Sequence, residues 1–295
     1  VETEQNVLTR SWSLLRRAVR RGGAAENRSD LETAPSLLRL AIVSTPRSGN
    51  TWLRHMLSST FAMHELDRHR PSDVPWHDLP ERCVLQIHWL REAPFASLLE
   101  RHSFRVVTLA RHPLDMLISL LHWVVRCPHP ESVWTDNPAL GGDRGTEVLL
   151  LGASPTSEAF LAWACSPRAV ALLSVSLQWW DAPGCVGVQY EDLVRSAPDE
   201  LQRIAGQLGV EPSRDPAEVA MAHTMDRLRD MQREPSQHYW QGQPGLWRRL
   251  LPAAAARRIA AAHSPSFARF GYVCDPDETL SRADASAAWR RLVDG

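Results

Sequence analysis

LLRLAIVSTPRSGNTWLRHMLSSTF, residues 37–61, divides into three pieces. LLRLAIVST (37–45) is a short aliphatic run, suited to a parallel strand buried on both faces. Pro46 to Asn50 form a turn, and TWLRHMLSSTF then carries Trp52, Leu53, Met56, Leu57 and Phe61 at helical spacing. This succession sets the main-chain N–H groups of the turn at a helix N-terminus, where an anion is favoured. In the phosphate-loop pattern G-x-x-x-x-G-K-[ST], Gly49 and Thr51 fall on the last glycine and the hydroxyl residue. Ser44 replaces the first glycine and Asn50 replaces the lysine. That lysine and a magnesium ion serve to neutralise a polyphosphate. Without them, the N–H groups of Ser48 to Thr51, two hydroxyls and the Arg47 cation suit a less charged group, such as a sulfate ester.

Outward from this stretch the chain alternates strands and helices. CVLQIHWL (83–90) and FRVVTLA (104–110) read as strands, and Arg111, His112 and Pro113 lead into a helix through Val125. Residues 126–157 are rich in Pro, Gly, Asp and Asn and read as a long loop. Helices follow over 157–180, a strand within GCVGVQYEDL (184–193), then helices over 198–208, 215–230 and about 252–263. The alternation implies an α/β fold, a central, mainly parallel sheet of phosphate-loop type flanked by helices. Residues 37–273 are expected to form one domain, after an N-terminal helix and linker (1–36) and before a C-terminal tail (274–295).

Composition narrows the function. The chain has 295 residues, enough for one large domain, with 44% hydrophobic and 23% charged residues. A net charge of −1 provides no basic field for nucleic acid. All 33 basic residues are arginine, so any active-site cation is guanidinium or imidazolium. Cysteines 83, 127, 165, 185 and 274 lack CxxC spacing, which argues against a disulfide framework or zinc site and for a reducing, cytoplasmic setting. No apolar run approaches the roughly 20 residues that span a bilayer, and no signal peptide is expected at the start. VLTRSWSLLRRAVR (7–20) has the spacing of an amphipathic helix. Docking on protein is its first reading and peripheral membrane contact its second.

TPRSGNTWLRHML resembles the 5′-phosphosulfate loop of the sulfotransferases that use 3′-phosphoadenosine 5′-phosphosulfate (PAPS). VVTLARHPLDMLISLLHW resembles their 3′-phosphate segment, LQIHWL their catalytic-histidine strand, and VSLQWWDAPGCVGVQYEDL their later Trp-Trp and Tyr-Glu-Asp-Leu stretch. The resemblance covers about residues 39–272. It implies His88 as general base toward an acceptor hydroxyl, and Arg47 as electrostatic stabiliser of the breaking S–O bond. Ser48, Gly49, Asn50 and Thr51 would cradle the 5′-phosphate, and Arg111 and Ser119 would bind the 3′-phosphate. Trp52 would stack on adenine, with core packing as its other reading, and Tyr190 and Thr224 would also contact the base. His112 and Asp115 look like local polar fillers.

One segment departs from the family. Its late loop carries R-K-G followed by G-D-W-K, whereas this chain has WQGQPGLWRR (240–249). Gly242, Gly245 and Trp247 keep the pattern, but Trp240 and Gln241 replace the basic pair. Main-chain N–H groups near Gly242 would then contact the phosphate, with Arg248 or Arg249 compensating. The resemblance implies in-line sulfuryl transfer from PAPS to a hydroxyl of a glycan, lipid or small metabolite. It implies 3′,5′-adenosine bisphosphate (PAP) as product and no metal ion. Trp76, His77, Trp89, Trp123 and Trp134 are candidates to line the acceptor pocket. Two other readings stay open, an ATP- and magnesium-dependent kinase and a non-catalytic nucleotide-binding scaffold. Oligomeric state is not legible.

Overall fold

A computed structural model describes residues 37–126, 146–230 and 240–294. The expected N-terminal helix lies outside the described residues. Five strands form one sheet in the order β2-β3-β1-β4-β5, with every adjacent pair parallel. They are β1 (Leu38–Val43), β2 (His64–Asp67), β3 (Arg82–Ile87), β4 (Phe104–Ala110) and β5 (Val186–Gln189). Parallel neighbours require crossovers, supplied here by α1 (Asn50–Thr60), α2 (Ala93–Arg101), α3 (Pro113–Arg126), α4 (Glu158–Ala164) and α5 (Pro167–Trp180). The chain moves to one side of β1 for β2 and β3, then to the other for β4 and β5. The C-terminal tips of β1 and its neighbours are therefore the switch point where such sheets bind ligands.

The pleat of β1 divides the core. Ala41 and Val43 face a cluster built with α3 and α5, while Leu40 and Ile42 face one built with α1 and with α7 (Ala197–Leu208). Burial on both faces explains why β1 reads as an aliphatic run interrupted only by the half-buried Arg39. Helix α3 starts on Pro113, whose missing N–H costs nothing at that position, and every residue from Pro113 to His122 is buried. It is the central helix of the domain.

The expected strands all form, and β2 is an addition. Its sequence, HELD, has no apolar alternation because it is a short, charged edge strand. The helical region 157–180 divides at Ser166–Pro167, where the Ser166 hydroxyl caps α5 by accepting from the Ala169 N–H. Residues 215–230 likewise divide, into α8 (Pro216–Ala222) and α9 (Met225–Asp230). Within the expected loop 126–157, Thr146–Leu150 form a 3-10 turn, and α2 and a short helix α6 (Tyr190–Arg195) are also additions.

The C-terminal segment is more than a tail. After α10 (Ala253–Ala262) and α11 (Ser264–Phe270), helix α12 (Arg282–Asp294) buries Ala285, Ala288 and Trp289 against the domain. Alanine-rich spacing with few large apolar residues hides that face in the sequence. Among the described residues no single helix is long and apolar enough to cross a membrane.

Candidate active site

Strand register assembles the site. Val43 pairs with Ile87, so the next residues, Ser44 and His88, sit side by side beyond the strands. There the His88 Nδ1–H donates to the Ser44 carbonyl at 2.8 Å. With the proton on Nδ1, Nε2 carries the lone pair. Burial lowers the His88 pKa below the ordinary histidine value, although the Ser44 bond and nearby Asp67 act in the opposite direction. The imidazole is therefore neutral at pH 7. QWW (178–180) contributes to its placement: Trp179 Nε1 donates to the Trp89 carbonyl at 2.9 Å, and Gln178 Oε1 accepts from the Arg91 N–H at 3.0 Å.

The same reasoning applies on the other side of β1. Ala110 pairs with Gln189, which brings Arg111 beside Tyr190. The Arg111 guanidinium lies 4.5 Å from the Tyr190 ring centroid, and its Nη1 donates to the Arg47 carbonyl at 3.0 Å. The two anion motifs are thus joined directly. Arg47, at φ 63°, reaches back with Nε 3.4 Å from the Ser119 hydroxyl. Burial first and Arg111 second lower the Arg47 pKa to about 10, so it stays cationic at neutral pH.

The loop is framed from within. Asn50 Nδ2 donates to the Thr45 carbonyl at 2.9 Å, and the Ser44 hydroxyl donates to Asn50 Oδ1. Asn50 is buried, so the position of the usual lysine is closed into the frame and only its main-chain N–H serves an anion. Thr45 is moored to α5, with the Ser176 hydroxyl accepting from its N–H at 2.7 Å. Ser48 is also buried, and Gly49 adopts φ 102° directly before helix α1. The first N–H groups of that helix, Asn50 to Trp52, have no intrahelical acceptor. They are the candidate donors for an anion.

The residues expected to contact the base also bond within the fold. Trp52 is 7% exposed, gives its Nε1–H to the His223 carbonyl at 2.8 Å and meets Tyr190 edge-on at 6.0 Å, as a core residue does. Tyr190 is 2% exposed, and its hydroxyl donates to the Gly242 carbonyl at 2.8 Å. Thr224 is exposed at the start of α9, where its hydroxyl accepts from the Arg227 N–H at 3.4 Å. Near it, Met225 lies against Gly242.

His112 and Asp115 are more than fillers. Asp115 is 1% exposed and accepts from the N–H groups of Gly245 at 2.6 Å and Trp247 at 3.0 Å, fastening the late loop to α3. The His112 ring stacks on Trp247 with centroids 5.1 Å apart, while its main-chain N–H donates to Glu191 at 2.9 Å. Arg248, one of the two arginines expected to compensate, is paired with Asp275 and lies over the Trp247 ring. Arg249 is exposed. Trp240 stacks flat on His122 at 4.0 Å, where burial, then Arg47 and Arg126, lower the histidine pKa to about 4. Trp240 of the late loop and His122 of α3 thus form an aromatic pair where the sequence resemblance led to the expectation of a basic residue.

Of the acceptor candidates, Trp76 packs on His102 and Phe104 and gives its Nε1–H to the Pro71 carbonyl. His77 is exposed and Trp123 half-buried, while Trp134 lies outside the described residues. Trp89, one residue past His88, packs edge-on to Phe95, which packs on Trp179. Among the described residues no cluster of three or more His, Cys, Asp or Glu is arranged to hold a metal ion.

Comparison with known proteins agrees with this architecture. The mouse sulfotransferase SULT7A1 complexed with PAP aligns at a TM-score of 0.57 and 14% identity, over 79% of this chain and 85% of that one. Retinol dehydratase in complex with retinol and PAP aligns at a TM-score of 0.50 and 14% identity, over 79% and 82%. No curated protein sequence is a significant match. The sulfotransferase domain family model matches residues 38–262, most of the chain, and on that match this protein belongs to the sulfotransferase family.

Proposed function

We propose that this sulfotransferase moves the sulfuryl group of PAPS to a hydroxyl acceptor by in-line transfer, with His88 as general base. The observation that carries the reading is the His88–Ser44 bond, which puts the ring proton on Nδ1 and so the basic lone pair on Nε2, at the strand tip that also forms the loop. The attacking oxygen bonds to sulfur as its proton passes to Nε2. The S–O bond to the 5′-phosphate breaks, and the electron pair stays on the phosphate oxygen. The N–H groups of Ser48 to Thr51 and the Arg47 guanidinium stabilise that charge, as preorganised donors do. Arg111, held over Tyr190, takes the 3′-phosphate with a planar fork of donors, and Ser119 lies within reach of the same segment.

PAP is the product and PAPS the donor on this reading, as the PAP complexes of the fold neighbours support. The acceptor is a small molecule bearing a hydroxyl, consistent with the retinol bound by one neighbour and with the aromatic group Trp89, Phe95 and Trp179 beside His88. A glycan acceptor, a cytoplasmic setting and membrane contact through residues 7–20 stay as sequence expectations. The kinase reading fits less well, since Asn50 is turned into the loop frame. The test is thermal stabilisation by PAP, 5′-AMP and ATP with magnesium. The expected result is a tenfold or larger preference for PAP over 5′-AMP, about 1.4 kcal/mol. Equal stabilisation by PAP and 5′-AMP would remove the 3′-phosphate site, and a magnesium-dependent preference for ATP would favour the kinase.

A further inference from the structure

Tyr190 touches three segments that the donor reading assigns to different parts of the cofactor. Its ring lies under the 5′-phosphate loop so closely that a Cβ at Gly49 would come within 2.7 Å of Cδ2 and 2.8 Å of Cε2. The Arg111 guanidinium rests over the same ring at 4.5 Å, and the hydroxyl holds the Gly242 carbonyl at 2.8 Å. Gly242 itself has φ 66°, and Tyr190 Oη lies 3.4 Å from where its Cβ would be. The late loop is held a second time by Asp115, through the N–H groups of Gly245 and Trp247. Its expected basic pair is absent, and Arg248 is engaged with Asp275.

We propose that Tyr190 is a positioning residue for 3′-phosphate selectivity, its hydroxyl holding the late loop so that the loop serves the phosphate through main-chain donors. This rests on the PAPS reading above. In a planar trans peptide, a carbonyl turned inward leaves the next N–H pointing the opposite way. With the Gly242 carbonyl held by buried Tyr190, the Gln243 N–H faces outward, and Gln243 is exposed. A side-chain cation reaches its anion from many loop positions, whereas a main-chain N–H acts only where the backbone is held. Losing the basic pair therefore shifts the burden to the two residues that fasten the loop.

The test compares PAP and 5′-AMP binding to wild type, Tyr190→Phe and Asp115→Asn by titration calorimetry. Tyr190→Phe keeps the ring under Gly49 and Arg111 and removes only the hydroxyl. The expected result is about a tenfold loss of PAP affinity (about 1.4 kcal/mol) with 5′-AMP affinity within twofold of wild type. Asp115→Asn, which keeps one acceptor of two, should shift the ratio in the same direction. Equal weakening of both ligands would reduce Tyr190 to a general packing role and overturn the proposal, as would an unchanged ratio in a folded variant. If wild type itself failed to distinguish PAP from 5′-AMP, the donor reading would fail first and the proposal with it.

Discussion

Gly49→Ala is the substitution whose effect the coordinates specify most closely. The added Cβ would meet Tyr190 Cδ2 at 2.7 Å and Cε2 at 2.8 Å. That is about 0.8 Å inside ordinary carbon contact, roughly 3.5 Å. The ring has little room to yield, with Arg111 stacked on it, Trp52 at its edge and its hydroxyl bonded to Gly242. Overpacking of this kind costs about 1–3 kcal/mol. The backbone adds strain, because φ 102° disfavours any side chain, at about 1–2 kcal/mol. The variant should lose about 3 kcal/mol, which for a domain of this size lowers Tm by about 6–12 °C. Gly152→Ala separates the two terms, since Gly152 has φ 68° but nothing within 4 Å of its Cβ position. It should lose only the strain, about 2–8 °C. The assay is thermal melting by circular dichroism, with and without PAP. If Gly49→Ala melted no lower than Gly152→Ala and kept its full PAP stabilisation, the tyrosine would not be supporting the anion loop.

His88→Ala should lower kcat by about 10²–10⁴-fold while leaving PAP stabilisation within error, measured by donor turnover and melting. For wild type, kcat/KM should hold through pH 6.5 and fall only at lower pH, because the neutral imidazole is the active form and burial depresses its pKa below the ordinary histidine value; an acid limb at or above that ordinary value would argue against the base. Arg111→Ala should weaken PAP by about 2 kcal/mol, as for loss of a charged hydrogen bond, and 5′-AMP by far less, in the same calorimetric titration. His88, His112, His122 and His263 all have pKa values lowered first by burial. The unfolded chain then binds more protons than the fold below pH 6.5, so stability is full above that value and Tm should fall from pH 7 to 5.

β1, β3 and β4 were legible because they are mostly buried on both faces, where a nearly continuous apolar run has few other readings. The anion loop was legible because Gly49 and the helix after it follow from backbone chemistry that few sequences satisfy. β2 was missed because an edge strand needs no apolar side chains, and what positions HELD is the ion pairing of Arg54 with Glu65 and Asp67. Asp115 read as a filler because its partners are main-chain N–H groups 130 and 132 residues away, and main-chain donors leave no mark on residue identity. Trp52 carried both an adenine and a core reading. Its bond to His223 and its burial are those of a core residue, and they depend on the path of the chain at 223, which the local sequence around Trp52 does not carry.

The absence of lysine has a mechanistic consequence that the geometry makes tolerable. On the proposed reading the loop arginine, cationic at neutral pH with its pKa brought down to about 10, supplies charge rather than a proton. The departing group is a phosphate oxygen that is stable as an anion at neutral pH and asks for charge stabilisation rather than a proton. A base without a matching acid then suffices, provided the positive charge stays in place. The Arg111 bond to the Arg47 carbonyl and the Arg47 contact with Ser119 hold it there, so the cation is fixed by the same residues proposed to bind the 3′-phosphate. Arg47→Met should therefore lower kcat far more than it weakens PAP, whereas Arg111→Ala should do both. If Arg47→Met lost only affinity, the guanidinium would be binding the ground state and the charge-stabilising role would have to pass to the loop N–H groups alone.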